Sequence, residues 1–299
     1  GSGPPFPGSP TSALAEIKYS PAKLDKVTLH NVDVYDNKSG GAGFFVSKVI
    51  QSSAGIEVTD SRFNETPTGD DQNDQSFGLT VASYEGINGV EIKGSQFHDH
   101  DGGLVDVAIE GLPEQNLSDG IALLAAYQDG AHDEVEDVMI ENTSANNNNT
   151  ANNDSGDIDP GFGNGLRIEG ATVDGIHVKK VANFNDNGNN GVQIFAKESV
   201  NNISMKDTDE DGTREITANG NGNMGLLVES KSGDIEGVEV ANAEFGKEGS
   251  KNGASGVRII TRDPDSNIGS TDTEGAIHFD NVLASYNLDY GMEIDSAED

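Results

Sequence analysis

A four-residue pattern, glycine–apolar–any–apolar, recurs eight times and limits what this chain can fold into more than any other feature. It reads Gly43-Phe44-Phe45-Val46, Gly78-Leu79-Thr80-Val81, Gly120-Ile121-Ala122-Leu123 and Gly165-Leu166-Arg167-Ile168. It continues as Gly191-Val192-Gln193-Ile194, Gly225-Leu226-Leu227-Val228, Gly256-Val257-Arg258-Ile259 and Gly291-Met292-Glu293-Ile294. Successive glycines lie 35, 42, 45, 26, 34, 31 and 35 residues apart. A unit therefore recurs while its connections vary in length, as in a solenoid with loops inserted at its corners.

A second motif, apolar–any–apolar, alternates with the first: Val27/Leu29, Ile56/Val58, Val90/Ile92, Val138/Ile140, Ile176/Val178, Ile203/Met205, Val238/Val240 and Ile277/Phe279. Period-two alternation over such short runs predicts strands with one buried face. Seven residues after the first member of each pair another apolar residue follows, at Val34, Phe63, Phe97, Ala145, Phe245 and Ala284, with Asn183 and Glu210 as exceptions. Three short strands per unit and no helical periodicity predict an all-β fold, a single right-handed parallel β-helix of about eight coils over residues 24–299. Gly1-Ser2-Gly3 reads as a cloning remnant, and residues 4–23 as a Pro- and Ser-rich linker or strap. Asn or Asp two residues after the pair, at Asn31, Asp60, Asn142, Asp207, Asn242 and Asn281, is expected at bent corners, where these residues tolerate left-handed backbone.

Fifty-two acidic residues against 18 basic ones give a formal charge of −34. That surface repels nucleic acid and anionic membranes, and no apolar run reaches membrane length. It also offers many hard oxygen ligands, which points to a saline or calcium-containing setting. Cysteine is absent, so no disulfide supports the fold. No signal peptide is visible. The last strand motif stops five residues before Asp299, so further repeats, flanking modules of a larger chain or another molecule are expected to cover that end.

The rhythm Val181-Ala-Asn-Phe-Asn-Asp-Asn-Gly-Asn-Asn-Gly191-Val-Gln-Ile194, echoed from Asn219 to Val228, resembles the pectin-lyase-like right-handed β-helix superfamily. Its coils are most similar to those of secreted mannuronan epimerases and related bacterial polysaccharide-modifying or surface proteins. The resemblance covers nearly the whole chain and implies the fold, but that scaffold hosts lyases, hydrolases, epimerases, adhesins and phage spikes alike. Epimerases of this kind carry D-P-H-[DE]; here Asp159-Pro160 is followed by Gly161 and Asp263-Pro264 by Asp265, without the histidine. The polygalacturonase signature G-H-G is missing, and Arg258-Ile259-Ile260 lacks the lysine of R-I-K.

Excess length is expected between the third strand and the glycine motif, in insertions His98–Asp119, Asn146–Asn164 and Asp207–Asn223, which would wall one edge of the glycine-motif sheet. The outward third motif positions supply Arg167, Gln193 and Arg258 as candidate contacts to a sugar chain, since guanidinium groups pair bidentately with carboxylates. Asp207-Thr-Asp209-Glu-Asp211-Gly212 is a D-x-D-x-D-G run with Glu215 at its ninth position, a candidate calcium loop that lacks the twelfth-position Glu of an EF-hand. Asp263, Asp265 and Asn267, with Glu274 at the twelfth position, form a weaker one. His98 and His100, interleaved with Asp99 and Asp101, carry a possible transition-metal or acid–base spacing.

These features lead to the expectation of a non-catalytic, calcium-stabilised module of a larger secreted or cell-surface protein, serving adhesion, spacing or polysaccharide contact. The alternatives are a polysaccharide lyase or epimerase working in the groove along the glycine-motif sheet, and an end-to-end assembling filament or surface-layer component.

Overall fold

A computed structural model describes residues 15–17, 20–35, 40–49, 55–64, 77–100, 105–109, 115–126, 133–148, 163–207, 211–270 and 275–296. These residues hold strands and no helix, and the strands pair almost entirely in parallel. The result is an all-β, solenoid-like fold in which each unit lies on the next through in-register columns of like residues.

The glycine motif forms one column. Leu79 pairs with Ile121, then Leu166, Val192, Leu226, Val257 and Met292 follow in turn. The glycine is required by close stacking. A Cβ on Gly191 would stand 2.7 Å from Ala218 Cβ, 2.8 Å from Asn221 Nδ2 and 2.8 Å from the Gly225 carbonyl. Gly120, Gly165, Gly225 and Gly256 each face an asparagine amide and the next unit's carbonyl in the same way. The first motif is a correction to the sequence reading. Ala42, not Phe44, pairs with Leu79, so the stacked glycine is Gly41, and Gly43 rather than Phe45 takes the outward third position.

The apolar pairs form a second column, Val27–Ile56–Val90–Val138–Ile176–Ile203–Val238, as the alternation predicts. A further apolar column that the period-two reading misses holds Val49, Ile87, Val135, Val173, Val200, Ile235 and Ile268, three residues before the pair in the five units from Ile87 to Ile235. Left-handed residues at Gly89, Asp137, Gly175, Asn202 and Gly237 break the alternation between the two. The corner residues Asn31, Asp60, Asn142, Asn242 and Asn281 do adopt positive φ, whereas Asp207 does not.

The third column holds Val34, Phe63, Phe97, Ala145, Phe184, Ala218, Phe245 and Ala284. Both sequence exceptions are register effects. A bulge at left-handed Lys180 delays the core position from Asn183 to Phe184. In the next unit the acidic loop precedes the strand Ile216–Thr217 and Ala218 takes the core position, while Glu210 lies outside the described residues. The Asp207 loop therefore leaves from a different corner than the insertions after His98 and Asn146. Phe63 and Phe97 stack with centroids 5.0 Å apart.

A buried asparagine ladder follows three residues after most of these core positions. Asn148, Asn187, Asn221 and Asn252 each donate both backbone N–H and Nδ2 to Oδ1 of the next member, ending at Asn287, over distances of 2.8–3.3 Å. His100 holds the place one unit before Asn148, buried and with Nε2 against the α-carbon of Gly78. Asn148 Oδ1 is consequently buried without a hydrogen-bond partner. His100→Asn is expected to supply the missing donors and raise stability by about 1–3 kcal/mol, read as a higher Tm; an unchanged or lower Tm would refute that account.

Strand Ser20–Leu24 joins the glycine-motif sheet beside Ala42–Val49, and Ala15–Ile17 pairs in parallel with Val105–Ile109. The insertion after His98 carries its own antiparallel pair, Val105–Ile109 with Gln115–Leu117.

Candidate functional site

Outward residues of the glycine-motif sheet run in register as Gly43, Thr80, Ala122, Arg167, Gln193, Leu227, Arg258 and Glu293. Thr80 and Ala122 are wholly buried, as are Ala82 and Leu124 beside them. At this end the face is covered, so it is not the open groove expected from the sequence.

Arg167 lies where the cover gives way, its side chain 11% exposed. Its Nε donates to Glu169 Oε1 at 2.8 Å, and its Nη1 approaches Asp119 Oδ2 at 3.5 Å. Asp119 and Glu169 are both buried. Asp119 Oδ1 accepts from Asn164 N and Nδ2, both at 2.8 Å. Asn164 Oδ1 in turn accepts from Asn189 and Asn190, and Asn190 donates to Gln193 Oε1 at 3.0 Å. Gln193 closes the circuit toward Glu169 Oε1 at 3.5 Å. Arg167 and Gln193 are thus brought together, but on one another's neighbours. Sequence reasoning passed over Asp119, Asn164 and Asn190, although each directly precedes a motif glycine, and that position was the available signal.

Burial pushes the Asp119 carboxyl above its ordinary range, against the opposing pull of Arg167 and of the Asn164 hydrogen bonds. One guanidinium serves two buried carboxylates. Chemically this is a buried acid, harder to ionise than a free carboxyl, beside an ion pair.

No protein-family model, curated protein or solved structure matches this chain.

The other predicted residues do not join this cluster. Arg258 pairs with Glu293 in the adjacent strand at 3.2 Å. Asp207 is buried and its carbonyl accepts from Asn242, whereas Asp211 is exposed and accepts from Thr213 N and Oγ1 at 2.8 and 2.6 Å. These two bonds hold the Asp211 carboxyl below its ordinary range. Glu215 is half-buried; Asp209 lies outside the described residues, as do Glu274, Asp101 and Asp159. Asp263 forms a turn, its Oδ1 accepting from Asp265 N at 3.0 Å, while Asn267 N donates to Asp234 of the preceding unit at 2.6 Å. This loop follows the glycine-motif strand Val257–Thr261, so the two acidic loops occupy different corners. Among the described residues no three His, Asp or Glu side chains gather as a cation site.

His98 and His100 do not share a face, because left-handed Asp99 turns the chain between them. His98 Nε2 meets Ser144 Oγ at 2.6 Å, and burial lowers its pKa, whereas His100 enters the ladder.

A second concavity, unforeseen from the sequence, lies on the outer face of the apolar-pair sheet. It encloses ≈ 410 Å³ and is lined by His177, Asn202, Ser204, Glu239 and His278. His177, Ser204, Glu239 and His278 form one outward column across four neighbouring units. Glu239 Oε2 accepts from Lys206 Nζ at 2.7 Å. Burial, aided by Lys179, lowers the His177 pKa below 6.5 and favours the neutral ring.

Proposed function

We propose that the chain is a right-handed parallel β-helix of about eight coils, allied to the pectin-lyase-like superfamily. In this reading it works as a non-catalytic, calcium-stabilised module of a larger secreted or cell-surface protein, in adhesion, spacing or glycan contact. The observation that carries it is the column His177–Ser204–Glu239–His278, which sets hydroxyl, imidazole and carboxylate groups along a shallow groove. Such mixed donors and acceptors suit the hydroxyls of an extended sugar chain, and a groove of this volume is of ligand size. The pairing of Arg167 and Arg258 with their own acids fits a structural use of those cations. The D-x-D-x-D-G run supports the calcium element.

Incubation with alginate, pectate or polygalacturonate and calcium is expected to yield no unsaturated uronate by ultraviolet absorbance; clear turnover would replace this reading. Calcium is expected to raise Tm relative to chelator. A Tm that does not move would remove calcium from the proposal.

A lyase or epimerase remains the second reading on one observation, the raised pKa of Asp119 beside Arg167. It requires turnover that Asp119→Asn abolishes.

A further inference from the structure

We infer that the groove over His177, Ser204, Glu239 and His278 takes an uncharged β-1,4-linked glycan, laid along the stack with one sugar over each unit; this rests on the glycan reading above and names its ligand class. The groove has a local cause. Along the corner that leads into the apolar pairs, Asp137, Gly175, Asn202, Gly237 and Ala276 occupy equivalent places in successive units. Asp137 and Asn202 carry exposed polar side chains there, whereas Gly237 and Ala276 carry almost none, and the surface sinks beside Glu239 and His278. Asn202 Nδ2 donates to Asp174 Oδ1 at 2.8 Å, which fixes that amide at the rim.

Spacing selects the kind of chain. The four groove residues stand in one column, each a unit from the next, and neighbouring strands repeat at about 4.8 Å. A sugar in an extended β-1,4-linked chain advances by nearly the same distance, so the match holds over all four units. A coiled chain such as an α-1,4-glucan falls out of step. Charge selects the chemistry. On one flank the outward column carries Asp174 and Glu236, and on the other Lys179, Lys206 and Asp280. Lys206 is engaged by Glu239, Nζ to Oε2 at 2.7 Å, so it leaves no cation over the groove for a carboxylate of the ligand. The neutral His177 ring supplies one donor and one acceptor, and Ser204 supplies a hydroxyl. A uronate chain would set a carboxylate over every unit against these acids and against a chain of formal charge −34, whereas sugar hydroxyls meet their partners without that repulsion.

Mannotetraose and the tetramer of β-1,4-mannuronate differ only in hydroxymethyl against carboxylate, and calorimetric titration of both, with chelator present so that no cation bridges acid to acid, tests the inference. Mannotetraose is expected to bind, more tightly than mannobiose and about as tightly as the hexamer. The mannuronate is expected to bind at least about tenfold more weakly, because like charges are juxtaposed, at low salt and again at high salt, where long-range repulsion is screened. Ser204→Tyr places a strand-compatible ring in the middle of the groove and is expected to abolish binding with unchanged circular dichroism. Mannuronate binding as tight as mannotetraose overturns the inference and leaves glycan contact standing. Undiminished binding by Ser204→Tyr overturns the placement in this groove. Failure of both tetramers to bind overturns the inference together with the glycan reading beneath it.

Discussion

Asn221→Ala is expected to lower stability by about 3–5 kcal/mol, far more than the usual effect of removing one polar side chain. Asn221 Oδ1 accepts two hydrogen bonds from Asn187, one from backbone N at 3.0 Å and one from Nδ2 at 3.1 Å. Its own Nδ2 donates to Asn252 Oδ1 at 3.1 Å. All three residues are buried, so water cannot replace the lost partners, and each orphaned group carries a desolvation cost of about 1–3 kcal/mol. The amide also packs on the α-carbon of Gly191, so its loss opens a void against the motif glycine. Urea unfolding followed by circular dichroism measures the effect. A loss under about 1 kcal/mol would mean that the ladder is decorative. Gly191→Ala is expected to be as damaging for the reciprocal reason, since all three obstructions around its new methyl belong to the next unit.

The second large effect is expected at Arg167→Ala, at about 3–5 kcal/mol, because removal of the cation strands two buried carboxylates. Asp119→Asn is expected to behave differently. The asparagine oxygen still accepts from Asn164 N and Nδ2, and Arg167 and Glu169 are left as a balanced pair. The pH dependence follows from the raised carboxyl. The folded chain holds the Asp119 proton more tightly than the unfolded one, whose value is near the ordinary 3.8. Its favourable contribution is complete below 3.8 and is lost as pH rises through the folded value. Asp119→Asn should therefore gain stability relative to wild type as pH increases through that window. Melts of the three proteins across acidic pH test this; an Asp119→Asn chain that loses as much as Arg167→Ala would show that the carboxylate is ionised and indispensable.

Much of the fold was legible because its restraints are local and repeated. The motif glycine marks where a ladder amide and a neighbouring carbonyl leave no room for a methyl, and the alternating pairs mark the buried face. Reading failed where the repeat was displaced. Lys180 inserts one residue and moves the core from Asn183 to Phe184; the acidic loop delays it to Ala218; Gly41 was hidden by the second glycine, Gly43. A fixed offset from the preceding pair cannot register a bulge or a loop, because only the neighbouring unit dictates which residue is drawn inward.

The candidate site was less legible for a related reason. Arg167 and Gln193 were visible as outward polar residues, but their partners Asp119, Asn164 and Asn190 belong to the turn before each glycine and come from three different units. The sequence by itself determined the repeating strands, the glycine requirement and the acidic surface, all of which depend on spacing and composition. Tertiary structure alone decided that Arg167 is enclosed by acids, that His98 and His100 face apart, and that His177 aligns with His278. Those relations arise from the stacking of units some 30 residues apart, where register sets which side chains meet.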